Sequence, residues 1–169
     1  MPRGGIRDAP KLGETMAVST FGFKEAENAA RTRERNKVPL SEVVVRELTM
    51  IAEEACRMAR DTYPTRSSGG YDDHTRNLRG SIGYSIRIEG KEVAKGGLDG
   101  LGSSNGEQAA EAALSKFGVE DVPAEIVIVA GMHYARYVEA KGLNVITFLQ
   151  PWLDKQMEKL SRDIKEKRI

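Results

Sequence analysis

The polar residues best suited to chemistry lie in two short stretches. The first, "YDDHT", contains Asp72, Asp73 and His74, and the second, "GMHYARYVEAKG", contains His133 and Glu139. Carboxylate oxygens and imidazole nitrogens are common metal ligands, so these five residues would suit a metal-dependent hydrolase if the fold brought both stretches together. Neighbours in sequence seldom bind one ion by themselves, so this alternative requires ligands from both stretches.

The spacing of these residues does not match that of known catalytic motifs. His133 and Glu139 lack the HExxH spacing that places two imidazoles on one face of a helix. We find no GxxxxGK phosphate loop and no GxGxxG after a strand, and we expect no nucleophile motif such as GxSxG. The sequence therefore favours a protein that is not an enzyme and that needs no cofactor or metal.

We interpret the second stretch as a packing element. In one or two helical turns, Tyr134, Tyr137 and Val138 would share a face that packs, whereas Arg136 and Glu139 would point toward water. A tyrosine suits the rim of a core because its ring is apolar and its hydroxyl is polar. We therefore expect both tyrosine rings to be buried.

The charge balance excludes a global attraction to nucleic acid or to an anionic membrane. The 169 residues include 26 Lys and Arg and 25 Asp and Glu, a net charge of +1. A denser basic strip at residues 31–37, formed by Arg31, Arg33, Arg35 and Lys37, keeps a nucleic-acid binding module as an alternative. Aromatic residues make up 6% of the chain and do not interleave with this strip, so a base-stacking platform is not expected.

Length and composition indicate a single soluble domain. A chain of this size buries about 70% of the surface that it exposes when unfolded. Its one cysteine, Cys56, excludes an internal disulfide and is expected to be a buried small residue in a reducing compartment. No apolar run approaches the length of a membrane span. We expect a disordered leader over 1–16 and one domain over 17–169.

A long amphipathic helix is the clearest element. Apolar residues recur at intervals of three and four between Pro39 and Pro64. On the solvent side, Glu53 and Arg57 are four residues apart, as are Glu42 and Arg46, which favours ion pairs. A second, charged helix is predicted over 21–36.

The rest of the chain predicts a sheet and further helices. Ile82, Tyr84, Ile86 and Ile88 alternate on one side of a strand, "EGKE" forms a hairpin turn, and a second strand returns over 92–98. "AEIVIVAG" has the composition of a central strand, "GEQAAEAALSKFG" predicts a short helix, and a terminal helix begins near Pro151. The predicted fold is α+β: an antiparallel sheet of about three to five strands with the long N-terminal helix and the C-terminal helix packed on one face.

Three segments, taken in order, resemble the tail-component family of tailed phages typified by the gene-ten product of phage Hong Kong 97. Members of that family contain three motifs in order: one close to "TGxLxxSI", then "YAxYVExG" after a later strand, and then "PFLxPAL". The corresponding positions here are Thr75, Leu78, Ser81 and Ile82; Tyr134, Ala135, Tyr137, Val138, Glu139 and Gly142; and Phe148, Leu149, Pro151 and Leu153. The resemblance spans roughly Pro39 to the carboxyl end.

The sequence departs from this pattern at three places. Arg76 stands where the family usually has glycine, Thr147 where it has proline, and the turn that ends at Gly142 is one residue longer. These differences concern the geometry of loops.

The resemblance implies a structural role in a virion. It implies a neck or tail-completion subunit that forms a homo-oligomeric ring at the head-tail junction, with the head connector and the tail-tube or tail-terminator proteins as neighbours. It implies no catalysis and no cofactor, and contact with nucleic acid only as the genome passes through the ring. The subunit would be made in the bacterial cytoplasm. We expect the loops 65–77 and 96–106 to make contacts between neighbours.

Overall fold

The computed structural model describes residues 16–18, 40–98, 104–117 and 123–166. Its helices are α1 (Leu40–Asp61), α2 (Asn77–Gly80), α3 (Ser104–Leu114), α4 (Ala135–Ala140) and α5 (Gln150–Lys165). Its strands are β1 (Met16–Val18), β2 (Ile82–Ile88), β3 (Lys91–Gly96) and β4 (Ala124–Ala130). Short 3-10 turns lie at Arg66–Ser68 and Thr147–Leu149. The predicted helix over 21–36 and the basic strip at 31–37 lie outside the described residues.

Helix α1 buries the stripe that its sequence pattern predicts. Leu48, Ala52 and Ala55 are completely buried, whereas Met50 on the opposite side is 58% exposed. The predicted ion pair between Glu53 and Arg57 is wrong, as is that between Glu42 and Arg46. Arg57 pairs with Glu54 three residues away, and Arg46 pairs with its neighbour Glu47. Glu53 instead accepts a hydrogen bond from the Tyr84 hydroxyl at 3.3 Å.

The four described strands form one antiparallel sheet in the order β1-β4-β2-β3. This confirms the predicted fold class and places "AEIVIVA" in the interior of the sheet, with all seven residues buried. The hairpin turn between β2 and β3 consists of Glu89 and Gly90, both with positive φ, which is the backbone of a tight type I′ turn. Strand β3 spans 91–96, slightly earlier than predicted.

Strand β1 carries no sequence signal that we recognised. Met16 pairs with Ala130 and Val18 with Ile128, both on β4. The expected leader over 1–16 therefore includes one residue too many, because Met16 belongs to the sheet. A strand of three residues is too short to show a periodic pattern, so only its partner strand can define it.

Both faces of the sheet are covered. Ile82 and Ile86 of β2 and Ile128 of β4 share one core cluster with α1 and α5, so the two long helices cover the same face, as predicted. On the other face, Val127 and Val129 pack against α3 in a second cluster.

The described part of the chain contains no helix that is both long and apolar enough to cross a membrane.

Leu48 provides a test of the packing beneath α1. Leu48→Ala should lower the free energy of unfolding by about 3 kcal/mol, because it removes a completely buried side chain and leaves a cavity. Met50→Ala, in the same helix but on the exposed side, should change it by less than about 0.5 kcal/mol. Urea denaturation of both variants measures the difference, and equal losses would contradict the assigned helix face.

Candidate functional site

The segment between α1 and α2 is held in place by two arginines that bond to main-chain carbonyls. The Arg79 guanidinium donates to the carbonyls of Arg60, Pro64 (2.6 Å) and Tyr71 (3.2 Å). In return, the Arg60 guanidinium donates to the carbonyls of Arg79 at 3.3 Å and Ile82 at 2.7 Å. A helix leaves its last four carbonyls without partners, and a cation nearby satisfies them and the helix dipole. Arg79 therefore caps α1 and fixes the loop that follows.

Ser81 joins the start of β2 to the end of β4. Its carbonyl accepts the N–H of Gly131 at 2.8 Å, and its hydroxyl oxygen accepts the N–H of Met132 at 3.2 Å. The same hydroxyl donates to the carbonyl of Leu78 at 2.8 Å. Because Ser81 is completely buried, these bonds satisfy groups that water does not reach. The chain leaving β4 is thus anchored to the segment around α2.

The Glu139 carboxylate organises the segment after α4. One oxygen, Oε1, accepts the main-chain N–H groups of Val145 (3.1 Å), Ile146 (2.7 Å) and Thr147 (2.8 Å). Gly142, at φ +77°, turns the chain back so that these N–H groups face the carboxylate. The expectation that Glu139 points toward water is therefore wrong.

The expectation that both tyrosine rings are buried is confirmed for Tyr134 only in part and is wrong for Tyr137. Tyr134 is half-buried and packs against the core. Tyr137 is 63% exposed, and the Lys141 ammonium lies 4.3 Å from the centre of its ring. Helical geometry gives the reason: completely buried Ala135 sets the inward direction, and Tyr137 lies about 200° around the helix from it, whereas Glu139 lies only about 40° away.

Tyr134 also connects α4 to the loop before α2. Burial raises the pKa of the Tyr134 hydroxyl, and the nearby Asp73 carboxylate raises it further, whereas a hydrogen bond with Thr75 lowers it. Asp73 in turn accepts the main-chain N–H of Arg79 at 2.7 Å. His133 lies edge-on to Tyr134, with the ring centres 5.3 Å apart. The first and second motif segments therefore meet at Tyr134.

The five residues of the metal-site alternative have different partners. Asp73 and Glu139 accept main-chain N–H groups, and Asp72 accepts the N–H of Arg66 at 3.4 Å. His133 contacts Tyr134, and His74 is exposed. In the parts of the chain that the structure describes, no group of three His, Cys, Asp or Glu side chains is arranged to hold a metal ion.

The expectation that the chain contains no GxSxG motif is wrong for one pentapeptide. "GSSNG" at 102–106 matches GxSxG, with Ser104 at the position of the nucleophile. A nucleophile elbow joins a strand directly to a helix. Here β3 ends at Gly96, and exposed Ser104 begins α3 eight residues later. Neither histidine donates to or accepts from Ser104 in the described part of the chain, so the motif lacks its general base there.

Two adjoining grooves lie on the surface beside the loop between α1 and α2. One, of about 380 Å³, is lined by Asp61, Arg76 and Arg79 among others. The other, of about 320 Å³, lies between this loop and α4. It is lined by Arg66, Tyr71, Asp72, His74, Tyr137, Val138, Lys141 and Leu143. Asp72 and His74 belong to both grooves. We call the second one the Tyr137 groove.

Tyr71 lies in the wall of the Tyr137 groove and has an unusual environment. It is 4% exposed, and its hydroxyl has no hydrogen-bond partner among the described residues. The Arg79 guanidinium carbon lies 5.0 Å from the centre of its ring. Burial raises the pKa of Tyr71 far above its ordinary value, against a smaller opposing effect of Arg79. A buried hydroxyl without a partner is rare in native proteins.

Comparison with known proteins yields no assignment: no protein-family model, no curated protein and no solved structure matches this chain.

Glu139 tests the bond between α4 and the segment after it. Glu139→Ala should lower the free energy of unfolding by about 2 kcal/mol or more, because three N–H groups lose their acceptor. Glu139→Gln keeps an acceptor oxygen and should lose less. Glu158→Ala, an exposed position on α5, is the matched control and should change stability little. Thermal unfolding compares the stability of the three variants. A Glu139→Ala variant as stable as the wild type would show that the carboxylate does not hold the segment.

Tyr71 gives the opposite expectation. Tyr71→Phe should leave stability at pH 7 unchanged or raise it, because it removes a buried hydroxyl without a partner. Tyr84→Phe, which removes a hydroxyl that donates to Glu53, should lower stability by about 1 kcal/mol.

The dependence of stability on pH above about 10 provides a second readout for Tyr71. The folded chain keeps the hydroxyl proton to a higher pH than the unfolded chain, in which the pKa is close to 10.0. The contribution of this group is therefore complete below pH 10 and is lost as the pH rises above it. Tyr71→Phe should flatten this decline in a denaturation series measured across that range. An unchanged decline would show that Tyr71 is not responsible.

Proposed function

We propose that this protein is a structural subunit of a phage or prophage virion, a neck or tail-completion protein that forms a ring at the head-tail junction. One observation carries the proposal: the three segments that resemble the tail-component family, far apart in sequence, meet in one corner of the fold. Ser81 of the first segment bonds to the main chain just before the second, and Tyr134 of the second lies beside Thr75 of the first. Glu139 bonds to the main chain that enters the third.

Most of the motif side chains serve the shape of this corner. Leu78, Ile82 and Ala135 are completely or almost completely buried. The ring of Phe148 lies edge-on to Tyr63, with 4.9 Å between the centres, and Pro151 occupies the first turn of α5, where its missing N–H costs no helical bond. Residues of this kind fix the packing of the corner and therefore its outer shape. Shape is what a ring subunit requires, and none of these side chains is a reactive group.

The charged side chains of the corner support the same proposal. Arg60, Arg79, Asp73 and Glu139 each bond to main-chain groups, so they hold loops in place. A subunit that works by contact needs loops of fixed geometry on its surface, because ordering a mobile loop on binding lowers affinity. The proposed partners are other copies of this chain, the head connector and the tail-tube or tail-terminator proteins. The proposed location is the virion, after synthesis in the bacterial cytoplasm.

Deletion of the gene from its phage or prophage tests the proposal. We expect the mutant to yield particles without a normal head-tail junction in electron micrographs and to lose infectivity. Supply of the wild-type gene in trans should restore both, and gold-labelled antibody should mark the neck of complemented particles. Glu158→Ala is the complementation control, since it is exposed and is not one of the motif positions. Normal, infectious, tailed virions from the deletion mutant would refute the function.

A further inference from the structure

Strand β3 forms one edge of the described sheet. In the order β1-β4-β2-β3, it pairs with β2 on one side and with no described strand on the other. Its first three residues are exposed, among them Val93 at 48%. An edge strand presents main-chain N–H and C=O groups to which another chain can add a strand, so natural proteins restrict pairing there. The geometry of β3 therefore decides whether two copies of this chain can join through their sheets.

Strand β3 contains one residue more than the part of β2 that it pairs with. Ile86 lies opposite Ala94, and the next residue, Arg87, lies opposite Glu92, so Val93 has no partner of its own in the ladder. Such an extra residue is a β-bulge, which bends its strand and increases the local twist.

The direction of the main-chain groups follows from the contacts of β2 on its other side. The carbonyl of Ser81, just before β2, accepts the N–H of Gly131 at 2.8 Å, and the N–H of Glu89, just after β2, donates to the carbonyl of Pro123 at 3.0 Å. Both bonds reach the chain at the ends of β4. Because successive residues of a strand direct these groups to opposite sides, the odd-numbered residues of β2 face β4 and the even-numbered ones face β3.

Two residues of β3 therefore direct their N–H and C=O groups away from the sheet. These are Glu92 and Lys95, which lie opposite the odd-numbered Arg87 and Ser85. They are three residues apart because the bulge at Val93 lies between them, whereas a regular strand presents such groups at every second residue. A regular partner strand that pairs with Glu92 is therefore out of step at Lys95. A second copy of β3 has the same spacing, but the added twist turns each bulged edge away from the other.

The side chains of β3 add charge to the same edge. Lys91, Glu92 and Lys95 are all exposed, and the Lys95 ammonium lies 3.9 Å from the Glu111 carboxylate on α3. An added strand would displace water from these charged groups, which costs free energy. A short strand, lysines and a bulge are the features by which natural sheets keep an edge from pairing. Strand β3 combines all three.

We infer that the bulge at Val93, together with the lysines on either side of it, keeps the β3 edge from pairing with a second copy of this chain. The inference goes beyond the proposed function and does not depend on it. Pairing between edge strands uses main-chain groups that every chain has, so an open edge selects its partner poorly. A protein that acts through specific contacts gains from an edge that is closed to such pairing.

Deletion of Val93 tests the inference. Removal of the extra residue gives β3 the regular spacing, and an antiparallel pair of such edges brings Glu92 of one copy opposite Lys95 of the other. We expect the mean mass from light scattering at ~0.1 mM to rise about twofold over that of the wild-type chain, as two copies join across a two-fold axis. Circular dichroism checks that the variant folds.

Proline at position 92 identifies the contact. Glu92→Pro removes an N–H that points away from β2, so it blocks pairing at the outer edge and leaves the ladder between β2 and β3 intact. Added to the deletion, it should return the mass to the wild-type value. Glu92→Ala in the same background is the matched control: it keeps the N–H and should leave the mass raised.

Hydrogen exchange of the wild-type chain gives a test that does not require the deletion variant to fold. The N–H groups of Glu92 and Lys95 should exchange as fast as solvent-exposed amides at both ~0.05 mM and ~1 mM, because they have no partner strand. Those of Lys91 and Gly96, which face β2, should exchange slowly.

Three results would overturn the inference. They are a folded deletion variant with the mass of the wild type, a raised mass that the proline does not lower, and protection of the Glu92 or Lys95 N–H in the wild-type chain.

Discussion

The structure depends on charged side chains that bond to the main chain. Arg79 bonds to the carbonyls at the end of α1, and Arg60 bonds to those at the start of β2. Glu139 does the reverse and collects N–H groups before α5. Main-chain polar groups in a partly buried loop must find partners, and a charged partner forms a stronger hydrogen bond than a neutral one. These few side chains let three irregular segments pack against the sheet without regular secondary structure.

Charge pairs on the surface contribute differently. Arg57 lowers the pKa of Glu54 mainly through the hydrogen bond between their side chains, yet both groups are open to solvent. Water and salt screen such pairs, so they add little to stability. The important electrostatics are therefore in the corner around α2 and α4, where carbonyl and N–H dipoles of fixed position meet ionised side chains. This explains why residues that resemble candidates for chemistry in the sequence serve the loops instead.

The sequence predicts the regular elements because burial of apolar surface dominates their placement. The period of α1, the alternation of β2 and the apolar run of β4 each produce a buried stripe or strand in the structure. Tyr137 and Glu139 were placed on the wrong sides because α4 has only six residues, too few for a periodic pattern to fix its rotation. The contacts of Arg60 and Arg79 join residues 19 apart, and no local rule signals them. Strand β1 was missed because it exists only as a partner of β4.

The Tyr137 groove follows from this architecture. One wall is the loop that Arg79 ties to the end of α1, and the other wall is α4. Both walls are therefore carried by one packed unit, and packed interiors deform little. The cap of α1 by Arg79 thus determines the shape of this surface as well as the end of the helix.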